Sequence, residues 1–145
     1  MELPIKVELF VCDRKEKDPK ILLLKRSPDD GGFWQPITGT LEFEESLKDC
    51  AIRELKEETG IKNIKYISPE IYRFNWKKNG FTVVELVYMI DTEEKNVILS
   101  TEHTSFRWVS IKEAKKLLEK RNNKEALKHF CSFINYKGGD LIENY

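Results

Sequence analysis

The chain has 145 residues, enough for a real hydrophobic core, and is most simply read as one domain, 1–145. Lysine plus arginine and aspartate plus glutamate number 25 each, so neither a nucleic-acid partner nor a membrane partner is expected from charge. Cys12, Cys50 and Cys131 are far apart and odd in number, which reads as reduced structural thiols in a cytoplasmic protein; no signal peptide or membrane-length apolar run is visible.

From Ile5 to Cys12, apolar Ile5, Val7, Leu9 and Val11 alternate with Lys6, Glu8 and Phe10, which predicts a strand with one wet or ligand-facing side. Asp13–Lys20 is charged, carries Pro19 and reads as a turn. Ile21–Arg26 is a short apolar run ending in two cations, a pattern that suits a buried strand delivering Lys25 or Arg26 to one end of a sheet. Both cations are explained equally well as solvated surface groups. Their place ahead of a strongly acidic segment makes Arg26 a candidate phosphate contact, because guanidinium matches phosphate bidentately. Ser27–Gly32 is loop chemistry. Phe33-Trp34-Gln35-Pro36 then leads through Ile37 and Thr38 into Gly39, with Trp34 either a core or lid residue or a platform for a planar ring.

The stretch from Gly39 to Ile61 holds six glutamates: Glu42, Glu44, Glu45, Glu54, Glu57 and Glu58. Ser46 to Thr59 reads as a helix that starts near Glu45 and Ser46 and ends at Gly60. Leu47, Ala51 and Leu55 form its apolar stripe. Glu54 and Glu58 lie four apart and share a face, where like charges repel on a bare helix. A hard divalent cation reverses that repulsion, since Mg²⁺ takes oxygen ligands and commonly one or two protein carboxylates. Arg53 stands four residues before Glu57 and can orient it, and Gly39 permits positive φ or a close backbone approach to a ligand. A glutamate-rich helix alone is usually a solvated face. Here the segment fits Gly-x5-Glu-x7-Arg-Glu-U-x-Glu-Glu-x-Gly-U, with Leu55 and Ile61 as the apolar U positions, and a chance fit is on the order of one in a million per chain. The segment resembles the signature of the Nudix hydrolase family. The string FWQPITG before it is similar to the FWQ-x-x-TG approach of the bacterial dihydroneopterin triphosphate and dATP pyrophosphohydrolases within that family.

The resemblance implies an α+β fold, a mixed β-sheet sandwiched between α-helices, and cleavage of a nucleoside diphosphate linked to another moiety. It implies Mg²⁺ as cofactor, with Mn²⁺ able to substitute. Glu54 and Glu58 become the principal metal ligands, Glu57 a further ligand or a base, and Arg53 and Glu45 supports for the arrangement. Gly39 and Trp34 become substrate-facing candidates, Trp34 against a base or pterin ring.

After this segment, Lys62–Pro69 reads as a connector. Glu70–Trp76 and Phe81–Ile90 are strand-like and flank Lys77-Lys78-Asn79-Gly80, a hairpin signal. Trp76 and Phe81 either pack across that hairpin or reach the substrate. Asp91–Asn96 is a polar loop, Val97–Leu99 a short apolar piece, and Ser105–Ser110 a strand. Glu102 lies in the loop before it and is solvated on the plain reading. The string TEH-x-x-x-x-W is again similar to the pyrophosphohydrolase subgroup, which implies that Glu102 completes the metal site or acts as base. His103 orients substrate or simply titrates near neutrality. Ile111–Leu118 is an amphipathic helix capped by Ser110. Asn122-Asn123-Lys124 starts a last helix, Lys124 to about Asn135, with Ala126, Leu127, Phe130 and Ile134 inward. Asn123 is a helix cap or, by similarity to the subgroup's SN-x-x-A pattern, a substrate contact. Lys137–Tyr145 reads as a tail, loose or docked at a partner subunit, so monomer and homodimer both stay open.

The expected reaction is in-line attack of water on a (deoxy)nucleoside or pterin triphosphate, giving a monophosphate and pyrophosphate, with Glu57, Glu58, Arg53 and Glu102 as the catalytic set. The alternatives are hydrolysis of ADP-ribose or diadenosine polyphosphates, and a non-catalytic nucleotide-binding Nudix module. Such modules often lack carboxylates that are all present here.

Overall fold

The computed structural model describes residues 2–136. Lys137–Tyr145, read above as a tail, lies outside the described residues. Strands β1 (Glu2–Cys12), β2 (Ile21–Arg26), β3 (Trp34–Gln35), β4 (Ile37–Glu42), β5 (Ile64–Ile67), β6 (Tyr72–Lys78), β7 (Phe81–Thr92) and β8 (His103–Val109) share one mixed sheet. Helices α1 (Leu47–Thr59), α2 (Ile111–Leu117) and α3 (Arg121–Phe133) pack on its two faces. β1 is the axis. It runs parallel to β7 from Ile5↔Val84 to Cys12↔Asp91, and antiparallel to β4. β2 carries β3 and β8, while β7 carries β5 and β6.

Alternation along three strands makes two cores. Val7, Leu9, Val11, Leu22, Leu24, Leu86, Tyr88 and Ile90 point to the face covered by Cys50, Ala51 and Leu55 of α1. Phe10, Cys12, Ile21, Leu23, Val87 and Met89 point the other way, under Ala114 of α2 and Ala126, Leu127 and Phe130 of α3. This is the expected α+β sandwich. The second side of β1 is not wet, however: Phe10 stacks on Phe130 at 5.0 Å, and Glu8 has no exposed surface. Cys12, Cys50 and Cys131 are free, and burial pushes each thiol up to about 12.

Helix α1 has the ends that its sequence announces. Ser46 Oγ accepts from the Asp49 N–H at 3.0 Å, and Gly60 turns left-handed (φ 77°) with its N–H on Lys56 O. Asn79 (φ 49°) and Gly80 (φ 84°) make the tight turn between β6 and β7. Two expectations need correction, for the connector and for the start of the last helix. The connector contains β5, whose apolar Ile64 and Ile67 are three apart with a register shift between them, so no period of two is visible. The short apolar piece Val97–Leu99 carries no regular structure and is tied by the Ile98 N–H to Thr59 O at 2.9 Å. Helix α3 starts at Arg121, which puts Asn122 and Asn123 inside its first turn rather than at its cap. No helix of the described residues is long and apolar enough to cross a membrane.

Removing the Ser46 hydroxyl orphans a backbone donor at the start of the glutamate helix. Ser46→Ala is expected to cost about 1 kcal/mol in urea unfolding, with the two-state transition preserved.

Candidate active site

Arg53 is the organising side chain. Its Nε donates to Glu45 Oε2 at 2.7 Å, and Nη2 to Glu45 Oε1 at 3.0 Å and to the Thr40 carbonyl at 2.9 Å. Nη1 reaches Glu54 Oε1 at 2.8 Å and both Glu57 oxygens at 3.1 and 3.2 Å. Glu42 Oε1 stands 3.2 Å from Nε. Sequence spacing identified only the Glu57 pair. Arg53 hydrogen bonds pull the Glu45 carboxyl down to about 2, against the opposing effect of its burial. Glu45 in turn accepts the Glu42 N–H at 3.1 Å, closing a turn in which Glu44 takes a left-handed φ of 66°.

The arginine aims Glu54, and Gly39 makes room for it. A Cβ built on Gly39 would stand 2.0 Å from Glu54 Cγ and Cδ. Gly39 has no positive φ, so the glycine serves a close approach, and what approaches is the Glu54 side chain rather than a ligand. Glu54 is 9% exposed, and burial lifts its carboxyl to about 7, with Glu57 and Glu58 adding to the rise and Arg53 opposing it.

Glu58, one turn on and also buried, meets the loop before β8. Ser100 Oγ donates to Glu58 Oε2 at 3.0 Å, and His103 Nδ1 lies 2.7 Å from the same oxygen, outside good hydrogen-bond alignment. Burial pushes Glu58 up, but the neighbouring His103, Ser100 and Glu102 side chains outweigh that and hold the carboxyl below its ordinary value. His103 is itself buried, not a solvated loop histidine. Glu57 and Glu102 are exposed, the first turned to Arg53 and the second to Glu58. Among the described residues no three acidic, histidine or cysteine side chains form a ready metal cage.

On the opposite face of β4 lies a cavity of about 560 Å³. β4 is the shared wall: Thr38 lines the cavity while Gly39 backs Glu54. Arg26 and Asn123 both line the cavity, with Arg26 also 3.4 Å from Asp30. Asn123 is not a cap; its Nδ2 donates to Glu8 Oε1. Trp34 is not among the lining residues. It packs on the α2–α3 core, with Lys25 and Arg107 over its ring. Phe33, Phe74 and Trp76 supply the aromatic walls instead. Sequence reading passed over Ser100, Glu8 and Glu85; the readable signal for Glu85 was an acid inside the apolar run Val83–Ile90.

A model of the NUDIX domain matches residues 3–130. The chain belongs to the Nudix family. It is 31% identical over 127 residues to the dihydroneopterin triphosphate diphosphatase of Haemophilus influenzae, covering 79% of this chain and 80% of that protein. It is 29% identical over 135 residues to the asymmetrical bis(5'-nucleosyl)-tetraphosphatase of Rattus norvegicus, covering 86% and 92%. The fold superposes on a C. elegans Ap4A hydrolase binary complex with a TM-score of 0.73 at 22% identity, over 90% of this chain and 97% of that one. Membership in this Nudix group makes the protein a hydrolase acting on phosphoric anhydride bonds. Nudix hydrolases generally use divalent metals, and the donors present fit one. Glu54 and Glu58 offer hard oxygens on one face, and burial lifts Glu54 even though Arg53 is paired with it.

Two outcomes follow. The folded protein holds the Glu54 proton more tightly than the unfolded chain does. Ionisation therefore opposes folding, starting near pH 4.5 and reaching its full effect above about 7. Without metal, Glu54→Gln should match wild type at pH 4.5 and exceed it at pH 8 by up to about 3 kcal/mol. Urea unfolding in EDTA reads this, and a pH-independent difference contradicts it. Gly39→Ala should leave a folded protein whose Mn²⁺ affinity, by calorimetry, falls roughly 10–100-fold as Glu54 is displaced.

Proposed function

We propose that this protein, as a single domain over residues 1–145, is a Mg²⁺-dependent pyrophosphohydrolase. Its substrate is a (deoxy)nucleoside triphosphate or dihydroneopterin triphosphate, which takes up one water and leaves as a monophosphate and pyrophosphate. The observation that carries this reading is the pairing of Glu54 and Glu58 on one helix face, each aimed by its own hydrogen bonds, across β4 from a ring-sized cavity.

Glu54 and Glu58 would hold the metal, with Glu57 and Glu102 near; Mn²⁺ would substitute. When bound, the metal supplies charge neutralisation at phosphate oxygens and acidifies water. The protein's own groups do the positioning. Arg53 fixes Glu54 and Glu57 from one side, while Ser100 and His103 fix Glu58 from the other, so the two ligands do not drift apart. Glu102 is the better candidate for accepting the proton of the attacking water, because both Glu57 oxygens are already held by Arg53. Arg26 at the cavity rim would meet phosphate. The buried free thiols suit a reducing cytoplasm, and the partner is a small molecule bound by a monomer or homodimer.

A second reading, hydrolysis of a diadenosine polyphosphate or ADP-ribose, draws support from the likeness to the rat tetraphosphatase. A binding-only module is disfavoured by the complete carboxylate set.

Glu58→Gln should remain folded and lose turnover on the order of a hundredfold or more. The assay resolves the products by chromatography in Mg²⁺ over nucleoside triphosphates, dihydroneopterin triphosphate, ADP-ribose and diadenosine tetraphosphate; only the triphosphates can yield a monophosphate and pyrophosphate. Wild-type rates in the variant would overturn the site. Activity confined to the last two substrates would overturn the triphosphate reading in favour of the second.

A further inference from the structure

Three polar side chains lie buried where the cavity meets the sheet. Glu8 is 0% exposed, Glu85 5% and Gln35 6%. Side chains of this kind cost stability in a sheet interior unless each is paired. Their pairing is incomplete. Glu85 Oε1 accepts the Trp76 Nε1–H at 2.9 Å, and Glu8 Oε1 accepts from Asn123. Gln35 Nε2, Arg26 Nε and Glu8 Oε2 are buried without a partner. Gln35, Arg26 and Glu85 all line the cavity, together with Phe74 and Trp76. The cavity thus presents unused donors and an acceptor-only carboxylate at the same ring-sized space.

We propose that this cavity reads a 2-amino-4-oxo ring, as found in guanine and pterin: Glu85 accepts the adjacent ring N–H and exocyclic amine, and Gln35 donates to the ring carbonyl. The inference rests on the triphosphate reading above and names which ring that triphosphate carries.

A carboxylate has only acceptors, so it is satisfied by two donors side by side. The 2-amino-4-oxo edge has two neighbouring donors. Adenine offers one amine beside a ring nitrogen lone pair, which would face the carboxylate, and it has no carbonyl for the waiting Gln35 amide. Burial raises both Glu8 and Glu85, and the Glu85 charge raises Glu8 further. Lys6 and the Trp76 bond favour the charged form of Glu85, whereas Glu8 is the more deeply buried. Glu85 lines the cavity and Glu8 does not, so Glu85 is the carboxyl that meets the ring. Lys6 is the strand-pair neighbour of Glu85, and Lys6, Arg26, Lys78 and Lys120 outnumber Asp30 and Glu85 at the lining, giving the rim the cationic character a polyphosphate tail needs.

The test compares dGTP, dITP, dATP and dihydroneopterin triphosphate on wild-type protein, by kcat/KM from pyrophosphate release. The expected order puts dGTP and dihydroneopterin triphosphate above dATP by roughly a hundredfold or more, with dITP, which lacks the 2-amino group, below dGTP. Glu85→Gln should narrow the dGTP-to-dATP ratio chiefly through KM for dGTP. Should that variant fail to fold, metal-free calorimetry of wild type with dGMP and dAMP decides, with tighter dGMP binding supporting the proposal and equal or reversed affinities overturning it. A wild-type preference for dATP overturns this assignment alone and leaves the triphosphate reading standing. No pyrophosphate from any triphosphate overturns both.

Discussion

One guanidinium determines the geometry of the acidic segment. Arg53 touches Glu42, Glu45, Glu54 and Glu57, and also the backbone of β4 through Thr40 O. Exposed ion pairs taken singly contribute little. Here the fork is planar and fixed at several points, so its effect is directional: each carboxylate can occupy only the position its N–H bond allows. Lysine carries the same charge but not the fork, and would hold at most one or two of these groups. The network also ties helix α1 to β4, so the loop between them has little freedom to carry Glu45 away.

The strand held by Arg53 also separates the two halves of the site. Period-two alternation sends Thr38 to the cavity and Gly39 to Glu54, so the ring pocket and the acidic ridge are adjacent in sequence and opposite in face. β4 pairs only with β1 among the described strands. Its other side is therefore the short way round between the two faces. A substrate with a flat head and a phosphate tail fits a wall of this kind, which neither half alone would require.

What the sequence made legible was local. The α1 stripe, its serine cap and its glycine end are signals within a dozen residues, and the Asn-Gly turn needs only two. The residues that escaped reading depend on what folds over them. Alternation showed that Lys6, Glu8 and Phe10 share a side, yet whether water or α3 covers that side is decided more than a hundred residues later. Asn123 looked like a cap because capping is a local rule, while its partner Glu8 stands 115 positions away. Trp34 and Trp76 are equally aromatic, and only packing puts the first on the core and the second on the cavity. Gly39 announced that a side chain would not fit there; the sequence could not say that the obstacle was Glu54.

The two acidic groups share one physical condition. Glu54 and Glu58 on one face of the sheet, and Glu8 and Glu85 on the other, are carboxyls withdrawn from water within apolar cores. Valine or leucine in place of Glu8 and Glu85 would continue the cores that surround them and would stabilise the sheet. Burial raises Glu54, Glu8 and Glu85, and only Glu58 of the four, with Ser100, His103 and Glu102 beside it, falls below its ordinary value. The unmet demand differs between faces. On the α1 side the oxygens are exposed to their own mutual repulsion, which a compact multivalent charge relieves. On the α3 side Glu85 lines the same cavity as the unpaired Gln35 amide and Arg26 guanidinium donors, a demand that a neutral ring with both donors and a carbonyl would relieve. The energetic defects of the folded chain therefore mark out, on either side of one strand, the chemical outline of what it binds.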